Sequence, residues 1–288
     1  MSIAQQLHKL MSPMLYMSGV YSQLWNRRSC QEPFTVVLVY HRVVEDGFSC
    51  AGRFGIERGV SASVFEAQIR FMIKHFSPIK ASETLESSSE RLRFAVTLDD
   101  GYEDNFLIAA PILKRLGVPA TFFVASDYVA TERLFWWEQL ADMIRKTRVS
   151  EIDSKALVAN GLESSQFADP LPLQTDTERE IAYELLSAVV RAKQHSALTE
   201  YMNRLSEILE IMPREEGRDY ALMDWKQLKK LTHQGFDIGG HTASHCNVVD
   251  MDMEILHREI VSSSVTIERQ LETPVLTFAY PYGHFQKS

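Results

Sequence analysis

The chain has 288 residues, 45% of them hydrophobic and 24% charged, enough to bury a sizeable core in one large α/β domain or two smaller ones. Its net charge of -8 excludes nucleic acid as the main partner, because neutralising phosphates needs a basic face; an uncharged or cationic glycan fits better. The three scattered cysteines, Cys30, Cys50 and Cys246, exclude a disulfide framework and a cysteine-rich zinc site.

Residues 1–31 contain no Asp or Glu, carry Lys9, Arg27 and Arg28, and place Ile3, Leu7, Leu10, Met14 and Leu15 at roughly helical spacing. This pattern predicts an amphipathic segment that either rests on an anionic membrane surface or docks on the domain itself. It lacks the cleavage site of a secretory signal, so a cytoplasmic location is expected, peripheral on the membrane if the first of these two readings holds. The chain has no run of 18 apolar residues, and no transmembrane span is predicted.

From Phe34 onward, short apolar runs alternate with amphipathic helices, the signature of a mainly parallel α/β sheet. FTVVLVY (34–40) reads as the first strand. Ser63-x-x-Glu66 is a capping box that would open a helix to about His75, burying Phe65, Ile69, Met72 and Ile73. FAVTL (94–98) follows, then a helix from about Asp104 to Leu116 stopped by Gly117 and Pro119, then ATFFVA (120–125). Between 138 and 220 the strand signal vanishes and a helical insertion is predicted. Asp224 then caps WKQLKKLTHQ, Gly235 stops it, and FDIGG (236–240), a long helix near 251–271 and VLTFA (275–279) complete the series. The expected division is an N-terminal segment, 1–31, and one domain, 32–288, carrying the insertion.

Polar residues follow the ends of these strands: Tyr40-His41, Asp99-Asp100, Asp127, His241 and Tyr280-Pro281-Tyr282. In a parallel barrel such ends share one face, so residues far apart in sequence would converge there. His241 and His245 are spaced i and i+4, which on a helix would put both imidazoles on one side. Two histidines and one carboxylate leave open positions for water and substrate. That set suits catalytic Zn2+, with Co2+, Mn2+ or Fe2+ as alternatives. A second carboxylate would remain as a base, and the combination points to metal-assisted hydrolysis of an acyl group. Trp136 and Trp137 either stack on a sugar ring or pack beneath the insertion. Asp127 either binds sugar hydroxyls or caps the next turn.

FAVTLDDGYEDN (94–105), GGHTASH (239–245) and FAYPYG (278–283), with VLVYHRV (37–43), resemble in order the motifs of NodB-like polysaccharide deacetylases, carbohydrate esterase family 4. The resemblance covers about 34–137 and 221–285. It implies an α/β fold, a distorted (β/α) barrel of the polysaccharide deacetylase type. It also implies metal-dependent removal of acetyl groups from N-acetylhexosamines of a polysaccharide or lipid-linked glycan. By matching positions, Asp99 would be the general base and Asp100, His241 and His245 the metal ligands, with Thr242 supporting the histidine loop. Tyr282 would line the acetyl pocket, its N–H helping to hold the oxyanion, while His41, Asp127, Trp136, Trp137, Tyr280 and Pro281 would contact substrate.

Two departures stand against the pattern. Ala279 occupies the position where many members carry an arginine that orients the base, and the chain ends at Ser288, where members continue into further strands with a general-acid histidine. A barrel lacking its last strands is therefore expected; His284 or His41 either replaces the acid or, as the commoner case, has a structural or substrate-contacting role. O-acetyl esterase activity and an inactive glycan-binding or assembly role are the alternatives.

Overall fold

In this computed structural model, which describes residues 34–47, 59–86, 92–162, 167, 169–191, 197–213, 221–249 and 251–283, the apolar runs become the strands of one parallel sheet. Its members are β1 (Phe34–Tyr40), β2 (Ser77–Ile79), β3 (Leu92–Leu98), β4 (Ala120–Val124) and β5 (Asp237–Gly240). They lie in the order β1-β3-β4-β5, with β2 pairing the first half of β3, and every pairing is parallel. β3 is buried from Arg93 to Leu98, which explains why its sequence runs apolar instead of alternating.

The run VLTFA contributes a single parallel bridge, Gly240 to Phe278, in place of the strand expected. β5 is four residues long and ends at Gly240, so only the neighbourhood of Phe278 finds a backbone partner. Among the described residues the sheet is open, with β1 at one edge and this bridge at the other.

The helix α1 (Ala62–His75) packs Phe65, Ile69 and Met72 into the core, and the Phe65 ring meets Tyr40 of β1 edge-on at 4.9 Å. The predicted capping box does not form. Ser61 is the N-cap, so Ser63 already lies inside the first turn; its N–H donates to Asp46, while Glu66 pairs with Arg70 and Arg115. A π turn at Asn105–Ala109 leads into α2 (Ala110–Leu116), which stops at Gly117 in the left-handed conformation (φ 67°) as expected.

The insertion is built from α3 (Trp136–Lys146), α4 (Asp176–Arg191) and α5 (Leu198–Ile208), which close around a second apolar cluster containing Leu140, Met143, Leu186 and Leu205. It also holds a short antiparallel pair, Glu151–Ile152 with Leu171–Pro172, which the sequence did not signal. Beyond it, α6 (Trp225–His233) starts at the Asp224 N-cap, with Gln227 completing a capping box. The long helix near 251–271 is α7 (Met253–His257), a π turn at Arg258–Ser262 and α8 (Ser263–Leu271). No helix among the described residues is long and apolar enough to cross a membrane. The N-terminal segment 1–31 and His284 lie outside the described residues.

Candidate active site

Two strand ends deliver the chemistry. At the end of β3 the Asp99 N–H donates to Tyr40 O (2.9 Å), continuing the sheet ladder, and Asp100 then turns into the left-handed region (φ 71°) with Gly101 (φ 78°) behind it. A Cβ on Gly101 would lie 3.0 Å from Val124 Cγ1, so the tight turn needs glycine on two counts. The turn sends the two carboxylates apart: Asp99 faces a cleft and Asp100 faces the histidines. At the end of β5 the His241 N–H donates to Val124 O (3.1 Å).

The segment from His241 to His245 is a loop, not the helix that its spacing allowed. Thr242 (φ 63°) and His245 (φ 54°) are both left-handed, and this double reversal brings the imidazoles together with ring centroids 4.8 Å apart. His241 Nε2 lies 3.4 Å and His245 Nε2 3.0 Å from the same oxygen, Asp100 Oδ1. The donor atoms of all three residues lie within 4.8 Å of one another, and all three side chains are buried.

His241 Nδ1 lies 2.8 Å from the carbonyl oxygen of Ala279. A carbonyl only accepts, so Nδ1 carries the hydrogen, and in the neutral imidazole that can ligate a metal the Nε2 lone pair faces Asp100. A lone pair against a buried carboxylate oxygen is repulsive unless a cation lies between them. Asp100 Oδ1 itself has no hydrogen-bond partner. Donors held about 2.0 to 2.2 Å from a tetrahedral ion sit about 3.3 to 3.6 Å apart, which matches the His241–Asp100 separation of 3.4 Å and exceeds the His245–Asp100 one of 3.0 Å by a few tenths. The residues therefore fit a divalent metal.

The electrostatics separate the two aspartates. Burial opposes ionisation of Asp100, but His245 and His241, both facing its Oδ1, override it and hold its carboxyl well below the usual range. For Asp99, burial pushes the carboxyl up to about 6, opposed by His241 and reinforced by Asp100. Burial lowers His245; His241 is raised, because Asp100 outweighs the burial that disfavours its charged form.

The four residues line a cleft of about 810 Å³. Val37 and Val39 of β1, His41, Trp137, Tyr280 and Tyr282 add to its walls, so three of the six expected contact residues, His41, Trp137 and Tyr280, meet there. Trp137 stacks on Phe135 (4.4 Å between centroids) and meets His245 edge-on at 4.8 Å. Tyr282, left-handed at φ 65°, sets its ring across His245 at 5.2 Å.

Three expected contacts do not form part of the wall. Trp136 is buried behind it, its indole N–H donating to Tyr282 Oη (2.9 Å), so it positions that tyrosine. Pro281 is buried in the same turn. Asp127 is exposed elsewhere, its backbone N–H donating to Ala243 O.

The sequence missed one entire wall. Glu180, Tyr183, Glu184, Ser187 and Arg191 of α4 line the cleft, so the insertion is part of it. It also missed Glu138, buried on α3, which accepts from the Tyr102 hydroxyl (2.7 Å) and the Phe135 N–H (2.9 Å). The i, i+3, i+4 spacing of the α4 residues was the available signal, but it does not say what the face meets.

Comparison with known proteins agrees with this geometry. No curated protein sequence matches the chain. Among solved structures it is similar to the Streptococcus pyogenes deacetylase PplD in complex with acetate, with a TM-score of 0.50 and 15% identity over 88% of this chain and 75% of that one. It is similar to IcaB from Ammonifex degensii to the same degree, with a TM-score of 0.50 and 15% identity over 88% of this chain and 76% of that one. At such identities the likeness speaks for the fold. The family model described as polysaccharide deacetylase matches residues 87–187 and 189–288, well over half of the sequence. The chain belongs to the polysaccharide deacetylase family.

Proposed function

We propose that the chain is a metal-dependent hydrolase that removes N-acetyl groups from N-acetylhexosamine units of a polysaccharide or lipid-linked glycan. The observation that carries this reading is the meeting of Asp100, His241 and His245 around one point, with a second carboxylate, Asp99, beside them in an open cleft. Asp100, His241 and His245 would hold the metal, Zn2+ first, with Co2+, Mn2+ or Fe2+ as substitutes. When bound, such an ion polarises the acyl carbonyl and brings the pKa of water from 15.7 to about 7.

The protein's own residues supply the rest. Asp99 Oδ1 is buried without a hydrogen-bond partner, free to take a proton from the attacking water. With its carboxyl near 6, Asp99 is mostly ionised at neutral pH yet basic enough to hold that proton. The Tyr282 N–H stabilises the oxyanion of the tetrahedral acyl intermediate, while Trp136 and His245 fix the tyrosine ring. His41 lines the same cleft as both aspartates and in this reading would contact the substrate there.

The test is acetate release from N-acetylhexosamine oligomers by zinc- or cobalt-loaded protein. Wild type should release acetate, and Asp99→Asn should lower the rate by about 10²- to 10⁴-fold with its metal content unchanged. A metal-loaded wild type that releases none rejects the proposal.

A further inference from the structure

The histidine loop holds a conformation that its own sequence does not favour. Thr242 and His245 are left-handed, and a β-branched residue keeps φ above zero only when its surroundings impose it. Those surroundings are concentrated on the helical stretch that follows. Glu259, completely buried, accepts with one oxygen, Oε2, from the backbone N–H groups of Ala243 (3.0 Å) and Ser244 (2.8 Å). Its other oxygen accepts from Arg258 (2.8 Å), which balances the buried charge from the solvent side. Ser263 Oγ donates to Thr242 O (3.0 Å), and within the loop the Cys246 N–H donates to Thr242 Oγ1 (3.2 Å).

The helix is deformed at the same place. A π turn at Arg258–Ser262 interrupts it between α7 and α8, so Glu259 lies within the widened turn and Ser263 at its exit. Such turns are rare and cluster where side chains must be aimed at a functional site. Both residues it aims reach the loop that separates the two imidazoles.

We infer that Glu259 and Ser263 are positioning residues of the metal centre. They hold the loop between His241 and His245 in its left-handed form and so keep both Nε2 atoms on Asp100. This rests on the reading of Asp100, His241 and His245 as ligands. Neither residue touches a ligand atom or the substrate; they act on the metal through the backbone of the loop.

The experiment measures Co2+ affinity and the visible absorption of bound Co2+ in the full chain, with thermal unfolding in parallel. Glu259→Ala strands two backbone N–H groups and should weaken Co2+ binding by about 10- to 100-fold, with altered absorption bands. Glu259→Gln, whose amide oxygen can accept from both groups, should restore most of the affinity. Ser263→Ala should fall between. Asp252→Ala removes the N-cap of α7, where Asp252 accepts from Glu254 and Ile255, and should lower stability while leaving Co2+ affinity and spectrum unchanged. A folded Glu259→Ala chain with wild-type affinity and spectrum overturns the inference. If that variant does not fold, a folded Ser263→Ala chain with wild-type values overturns it equally. Wild type that binds no Co2+ would instead remove the metal centre, and this inference with it.

Discussion

Glu138→Gln should abolish a pH dependence of stability that the wild-type chain carries. Glu138 is 1% exposed, and burial pushes its carboxyl up from 4.5 to about 8, with the Tyr102 hydroxyl, the Phe135 N–H and the charge of Arg42 pulling the other way. The folded chain keeps this proton while the unfolded chain sheds it above about 4.5. The stability contribution is therefore complete below pH 4.5 and declines as the pH rises towards 8. At up to 1.36 kcal/mol per pH unit, the decline is about 3 kcal/mol between pH 4.5 and 7 and about 4 kcal/mol by pH 8, where the folded group is itself half ionised. For a chain of this size that is on the order of 10 °C in Tm. Glutamine keeps the shape and both hydrogen bonds, accepting from Phe135 and donating to Tyr102 Oη, but has no charge to bury. Urea unfolding of both proteins from pH 5 to 8.5 at fixed ionic strength should show the variant gaining on wild type with rising pH. Parallel stability curves across that range would refute the argument. Tyr102→Phe removes a donor that favours the ionised form, so the decline should continue to higher pH in that variant.

Three further outcomes follow from the geometry. After zinc loading, elemental analysis should find the bound ion lost in His241→Ala and kept in Asp99→Asn, since Asp99 is not among the three converging donors; equal content in both would reject the ligand assignment. Gly239→Ala would place a Cβ 2.3 Å from Phe123 Cε1 and 3.0 Å from Thr277 O, so the ring must move. A loss of about 1 to 3 kcal/mol in thermal unfolding is expected, and an unchanged Tm would contradict it. Glu184→Ala removes an exposed carboxylate from the α4 wall and should raise KM for glycan oligomers with kcat unaffected, whereas an identical KM would show that this wall does not hold sugar.

What could be read from the sequence was governed by local chemistry. Gly117 and Asp224 end and begin their helices as expected, because a left-handed stop and a capping carboxylate act within one turn. Ser63-x-x-Glu66 misled because the start of α1 is set elsewhere, by the short parallel pairing of Val43–Val44 with Val60–Ser61 just before it. Periodicity gave α4 a buried face, with Leu186 and Val190 in the core, but could not show that Glu180, Glu184 and Arg191 look into the cleft. The departure at Ala279 was visible as a missing side chain. Its carbonyl, which orients His241, carries no side-chain signal at all.

The same division runs through the candidate site. Asp99 and His241 were legible because each sits one residue past a buried strand, and the sheet register that pairs Tyr40 with Leu98 and Val124 with Gly240 fixes where that residue must be. That register carries each strand to its last paired residue, so the base and the first histidine follow directly on Leu98 and Gly240. His245 and Asp100 are different. Their side chains arrive through left-handed backbone at Asp100, Thr242 and His245; Asp and His enter that region more readily than most residues, but at β-branched Thr242 no local preference announces the turn. What holds the histidine loop comes from residues 15 to 21 positions farther along the chain, at Glu259 and Ser263. A reading confined to motifs finds the ligands and misses what holds them, which is why the test at Glu259 bears on the metal centre as directly as one at a histidine.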